Sequence, residues 1–169
     1  LSFELSLATQ RIIVNSGTSC YGSSDRRHFE RSTRAHNSVE IDSCSSSEVW
    51  SSFRVARRAY PFGLKITSSG SVLAVECSHN GYKRLSGSPI HKRNWIIDQN
   101  KVIIKDHITG VFASAVSRFI FHPDIMINRT DEVTFILTGP HKKKINLNSE
   151  FWRSQHSSLE EHRPIWLFD

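Results

Sequence analysis

The chain holds little of what would let it cross a bilayer, staple itself with disulfides or cradle a nucleotide. No apolar run approaches the roughly 20 residues that a membrane-spanning helix needs. Only three cysteines occur, Cys20, Cys44 and Cys77, an odd number with no CxxC spacing. That excludes a disulfide framework and a cysteine-built zinc finger, and leaves open one bridge with one free thiol. GxxxxGK[ST], GxGxxG, GxSxG and HExxH are all missing, which removes the commonest nucleotide, serine-hydrolase and zinc-protease sites. The chain opens on Leu1, without an initiator Met or a basic stretch leading into an apolar leader core. LSFELSLA instead reads as the middle of a folded element, so a fragment or processed product is expected.

A surplus of one charge is present: 22 Lys and Arg against 16 Asp and Glu, a net +6. Such a balance suits a polyanionic partner (nucleic acid, acidic polysaccharide or anionic lipid), and equally a basic surface with no polyanion to bind. At 169 residues with 38% hydrophobic and 22% charged content, the composition is that of one soluble globular domain.

The dominant period is two. Leu1, Phe3, Leu5 and Leu7 alternate with polar residues, as do Val39 and Ile41, and Val133, Phe135 and Leu137. Short β-branched runs (RIIV, SVLAV, NWII, KVIIK) read as more deeply buried strands. Asn15-Ser16-Gly17, Ser69-Gly70, Gln99-Asn100 and Gly139-Pro140 mark turns. Asn80-Gly81 predicts a two-residue hairpin, and WIIDQNKVIIKD predicts another. No apolar stripe at helical spacing persists over a dozen residues. SEFWRSQHSSLEEHR (149–163) is the least strand-like piece, predicted as a short helix or a long loop. The expectation is an all-β, antiparallel two-sheet sandwich with little helix, forming one domain over residues 1–169.

Three clusters could carry chemistry. His36 precedes a strand with Asp42 beyond it, so it could ligate a metal or simply bond the loop backbone. Residues 78–95 gather His79, Tyr82, Lys83, Arg84, His91, Lys92, Arg93 and Trp95. These groups could hold carboxylates or sulfates and stack on sugar rings, or form a basic hairpin facing water. His141 with Lys142, Lys143 and Lys144 reads as an exposed charge run.

In order, VNSGTSCYG, RRHFERSTRAHNSVEID, WSSFR, HNGYKRL, HKRNWIID and RFIFHPDI resemble the C-terminal β-sandwich of heparinase II/III-like polysaccharide lyases. The likeness spans roughly residues 1–140, and RSTxAHN with the preceding GTxxYG is its most specific part. It implies a supersandwich-type domain that follows an N-terminal helical toroid, with an active cleft between them. It also implies β-elimination on heparin, heparan sulfate or alginate, in a bacterial protein that is periplasmic or secreted. In the family a His-x-Asp motif precedes the segment matching LSFEL, and a catalytic tyrosine sits on the toroid. No catalytic residue is therefore expected within this chain, which should be inactive alone.

The resemblance further implies a metal site using Asn15 and His36. Asn15 stands where relatives have an acidic or thiol ligand, and its amide oxygen suits Ca²⁺ better than Zn²⁺. Tyr21, Arg31, Asn37, Tyr82 and Arg93 become expected substrate-side residues. A second reading is a non-catalytic module that binds acidic glycans. A nucleic-acid-binding β-domain ranks last, since no RNP-type aromatic-basic pattern is present.

Overall fold

The computed structural model describes residues 1–51, 53–140, 144–153 and 162–168. The fold is of the all-β antiparallel sandwich class, with one six-residue α-helix and one 3₁₀ turn among the described residues. Among the described residues no helix is long and apolar enough to cross a membrane. The chain divides into two compact units, each discontinuous in sequence.

The first unit comprises Leu1–Tyr60, His79–Ile90 and Gly110–His122. Strands β1 (Leu5–Leu7) and β2 (Gln10–Ile13) pair antiparallel. The Leu1–Leu7 alternation is thus only partly realised as strand. Beyond β2, Ile13 bridges Phe121, and Val14 N–H bonds the Ile120 carbonyl at 2.8 Å. This places Ile12, Ile13 and Val14 in the core. Helix α1 (Asp25–Glu30) starts where the Ser24 hydroxyl accepts from Arg27 N–H, with Asp25 in the first turn. The 3₁₀ turn Thr33–Ala35 then leads into β3 (Val39–Ile41).

All three β3 residues are buried, so the expected outward face of Glu40 is not realised. Its carboxylate is paired instead with Arg34 at 2.9 Å and Arg118 at 2.7 Å. Two guanidinium groups make that burial tolerable. Strands β4 (Glu48–Trp50) and β5 (Arg54–Arg57) form a separate hairpin.

The second unit comprises Pro61–Ser78, His91–Thr109 and Pro123–Asp169. It is built on β6 (Pro61–Ser69), β7 (Val72–His79), β8 (Ile90–Ile97) and β9 (Val102–Thr109). Back in the first unit, β10 (Ala115–Ser117) pairs antiparallel with β3. Strands β11 (Met126–Arg129), β12 (Thr134–Thr138), β13 (Lys144–Arg153) and β14 (His162–Phe168) complete the second. The eight strands form one sheet in the order β11-β12-β13-β14-β9-β8-β7-β6.

The WIIDQNKVIIKD hairpin forms as expected, with Asp98 N–H bonded to the Lys101 carbonyl at 2.8 Å. Asn80-Gly81 does not make a two-residue hairpin: β7 ends at His79 and β8 begins at Ile90. Gly81 has no positive φ; the Ser46 carbonyl and Ala59 side chain lie where its Cβ would be. Glycine is needed there for close approach rather than for a turn. Residues 149–153 and 162–163 lie in strands, which corrects the helix-or-loop expectation for them; 154–161 fall outside the described residues. His141, Lys142 and Lys143 of the charge run also fall outside them. Cys20, Cys44 and Cys77 are free thiols.

Candidate functional site

In the first unit, the residues after β2, helix α1 and the β4–β5 hairpin enclose a groove of about 400 Å³. Asn15, Arg27, Glu30, Arg31 and His36 supply its polar lining, while Val49 and Val55 wall it from the hairpin. The volume lies within the range of small-ligand sites.

At one end, Asn15 joins a short hydrogen-bonded chain. Its Nδ2 donates to Glu4 Oε1 at 3.2 Å, and its Oδ1 accepts from Ser2 Oγ at 2.9 Å. A carboxylate can only accept, so the amide is oriented with its oxygen toward His36. His36 Nδ1, 3.3 Å from that oxygen, is then the protonated nitrogen of the pair. Burial lowers the His36 pKa from its usual value, so the imidazole is mostly neutral at pH 7. Glu4 is held below the usual carboxylate range by the Arg11 guanidinium and the Asn15 amide.

Glu30 sits across from this chain. Both the hydroxyl and the backbone N–H of Ser19 donate to it, and Arg26 Nε approaches within 3.2 Å. The Ser19 bonds first, then Arg26, lower its pKa to about 2. The groove therefore keeps a fixed negative charge beside Arg27, Arg31 and His36.

Arg31 caps α1 and spends its guanidinium on the β4–β5 tip. It donates to the carbonyls of Ser51 at 3.0 Å, Phe53 at 3.2 Å and Arg54 at 3.4 Å. Tyr21 is 82% exposed, with the Arg27 guanidinium 5.4 Å from its ring centroid. Asn37 lies fully buried beneath the loop. Its Nδ2 donates to the Phe3 and Val14 carbonyls at 2.8 and 2.9 Å, and its Oδ1 accepts from Ile120 N–H at 2.6 Å.

Tyr82 and Arg93 are both fully buried. Tyr82 Oη donates to the Val39 carbonyl at 2.5 Å, and burial pushes its pKa well above the usual tyrosine value. In the second unit, Arg93 binds Asp106 twice, Nε to Oδ1 at 2.6 Å and Nη2 to Oδ2 at 2.8 Å. His91 Nε2 lies 2.7 Å from the same carboxylate. With His79 also buried, the 78–95 cluster is largely interior rather than a basic hairpin facing water. Arg84 belongs to the framework too, donating to the Ser45, Ser46 and Gly81 carbonyls.

A family profile described as "Heparinase II/III-like, C-terminal" matches residues 1–163. The chain belongs to that family. It is thus a C-terminal domain of the polysaccharide-lyase type, as the ordered motifs around RSTRAHN imply. A comparison with curated proteins finds no match.

Of the residues singled out from sequence, the structure brings Asn15, Arg31 and His36 to the groove of this heparinase II/III-like domain, with Tyr21 linked to it through Arg27. It puts Asn37 and Tyr82 in the core of the same unit, and Arg93 in the core of the other. Asn15 and His36 are two donors, one an amide, fewer than the three or four that hold zinc. No group of three or more His, Cys, Asp or Glu with metal-binding geometry occurs among the described residues. Sequence reasoning missed Glu4, Arg27 and Glu30. Glu4 reads as the solvent side of an alternating strand, and only Ser24-Asp25 signals the helix that aims Arg27 and Glu30.

Proposed function

We propose that this domain is part of a lyase that cleaves uronic-acid polysaccharides, such as heparin, heparan sulfate or alginate, by β-elimination. Its own task is to line one side of the substrate cleft, and it is inactive alone. Membership of the heparinase II/III-like family over residues 1–163 carries the reading. Two guanidinium groups in the groove, Arg27 and Arg31, support it, with the ionised Glu30 and the neutral His36 beside them.

Elimination needs the uronate carboxylate neutralised, so that the proton on the adjacent ring carbon becomes acidic enough to leave. A base takes that proton, and an acid protonates the departing glycosidic oxygen. Arg27, which also donates to the Thr18 hydroxyl at 3.2 Å, is assigned to the carboxylate, while Arg31 holds three backbone carbonyls. The neutral His36 imidazole is oriented through Asn15 by Glu4. Base and acid are assigned to an N-terminal toroid domain of the longer protein. Since the polymers lie outside the cytoplasm, export to the periplasm or beyond goes with this reading.

A metal at Asn15 and His36, Zn²⁺ or Ca²⁺, belongs to the same proposal: the imidazole suits Zn²⁺ and the amide oxygen Ca²⁺. Further ligands would have to join these two. Metal analysis of the protein and of His36→Ala tests this: loss of the bound metal in the variant supports it, and no metal in either refutes it.

The alternative is a glycan-binding module without catalysis. The two readings part on products. The longer protein, incubated with uronic-acid polymers, should release unsaturated uronate ends that absorb in the ultraviolet. Binding without that absorbance selects the module.

A further inference from the structure

The β4–β5 hairpin has two faces with different chemistry. Cα partners Val49 and Val55 turn toward the groove, while the next pair, Trp50 and Arg54, lies on the opposite face by the period-two rule. Trp50 is 49% exposed and Phe53, at the tip, 72% exposed. The Arg54 guanidinium stands 4.9 Å from the Trp50 ring centroid. Arg57 and Arg58 follow on the same strand and its exit, so three arginines and two aromatics fall within nine residues.

This tip is also held firmly. Arg31 reaches from the end of α1 to bond the carbonyls of Ser51, Phe53 and Arg54. Arg57 Nε lies 3.4 Å from Glu48 Oε2 across the ribbon. An exposed indole costs burial energy that a short hairpin does not recover, and a pinned one loses little further freedom on binding.

We propose that the outer face of this hairpin is a second subsite for the acidic glycan, beyond the groove. The apolar C–H face of a pyranose ring stacks on the Trp50 indole. Arg54 turns from the ring to pair with the carboxylate or sulfate of that sugar or its neighbour. A uronate presents this combination of an apolar ring face and an anionic edge, and Trp beside Arg complements both. The subsite rests on the acidic-glycan reading above, and adds that chain length matters. Short oligomers fill the groove alone, whereas longer ones also reach the hairpin.

The test uses size-fractionated heparin and alginate oligosaccharides, titrated against the protein and against Trp50→Ala, Trp50→Phe and Arg54→Gln. The expected result is about tenfold weaker binding of long oligomers by Trp50→Ala, with short oligomers bound as before. Trp50→Phe should retain most of the affinity. Arg54→Gln should lose about fivefold on the long oligomers, and none on their carboxyl-reduced, desulfated forms. Arg54→Gln keeps the proposal testable if Trp50→Ala does not fold. Wild-type affinity for long oligomers in both Trp50→Ala and Arg54→Gln overturns the subsite and leaves the groove reading standing. So does equal loss on short and long oligomers. If the hairpin variants bind glycans normally but no longer adsorb to anionic vesicles, the face is a membrane contact and the proposal falls. If the unsubstituted protein binds neither length, the acidic-glycan reading itself fails and the subsite with it.

Discussion

Asn15 Oδ1 lies 3.3 Å from His36 Nδ1, and Glu4 decides which way that hydrogen bond points. The Glu4 carboxylate accepts from the amide nitrogen, leaving only the amide oxygen for the imidazole. His36 should therefore carry its proton on Nδ1 when neutral. It should titrate below the ordinary histidine value, since burial disfavours its cation. Nitrogen-detected NMR of the imidazole checks both points. A predominantly Nε2-protonated ring, or a midpoint above the ordinary 6.5, would contradict them.

Asn37 joins three segments through one side chain: the Phe3 carbonyl, the Val14 carbonyl and the Ile120 N–H. Asn37→Ala leaves all three groups, the Val14 carbonyl buried and the other two partly buried, short of a partner. At roughly 1 kcal/mol per bond, the expected cost is about 3 kcal/mol, read from the urea unfolding midpoint. A loss under about 0.5 kcal/mol would mean that the loop repacks or that water replaces the amide.

Asp106→Asn keeps an acceptor oxygen but removes the carboxylate charge that faces the buried Arg93 guanidinium. Breaking a buried ion pair from one side costs about 3–5 kcal/mol, so this variant should be far less stable than the parent. Replacing Arg93 and Asp106 together by apolar residues of similar volume should recover much of that loss. Equal instability of the single and double variants would show that the pair does more than balance charge.

Acid should destabilise the fold in two stages. Burial depresses the His91 pKa below 6.5 despite the Asp106 charge, so the unfolded chain takes up that proton first. Stability from His91 is present above 6.5 and is lost as pH falls below it, and the depressed His36 acts in the same sense. For Asp106, burial raises the pKa, but Arg93 and His91 outweigh it and the net shift is downward. Its contribution is lost only below the ordinary aspartate range near 3.8. The melting temperature should fall between pH 7 and 5, and His91→Gln should flatten that slope. A melting temperature that rises over this interval would reverse the sign of the account.

The class of fold was legible because these signals need no long-range information: β12 follows from period-two alternation, and β8 and β9 from short β-branched runs. The site was legible only where motif order marked it, at Asn15, Arg31 and His36. Burial of charge was not legible. Arg93 and Glu40 read as surface residues until their partners, Asp106 and Arg118, are brought to them across 13 and 78 residues of chain. Gly81 misled for a related reason, since the group crowding it, Ser46, is distant in sequence. Trp50 and Arg54 were marked only as the ends of the WSSFR motif, and local pattern does not tell which face of a hairpin meets solvent.

The central claim is that this domain recognises the carboxylates of an acidic polysaccharide. It is tested most directly by titrating the protein with a uronic-acid polymer and with the same polymer after carboxyl reduction, at several salt concentrations. The account predicts binding to the native polymer that weakens steeply with salt, and little binding to the reduced one. Equal, salt-insensitive affinity for both would contradict it.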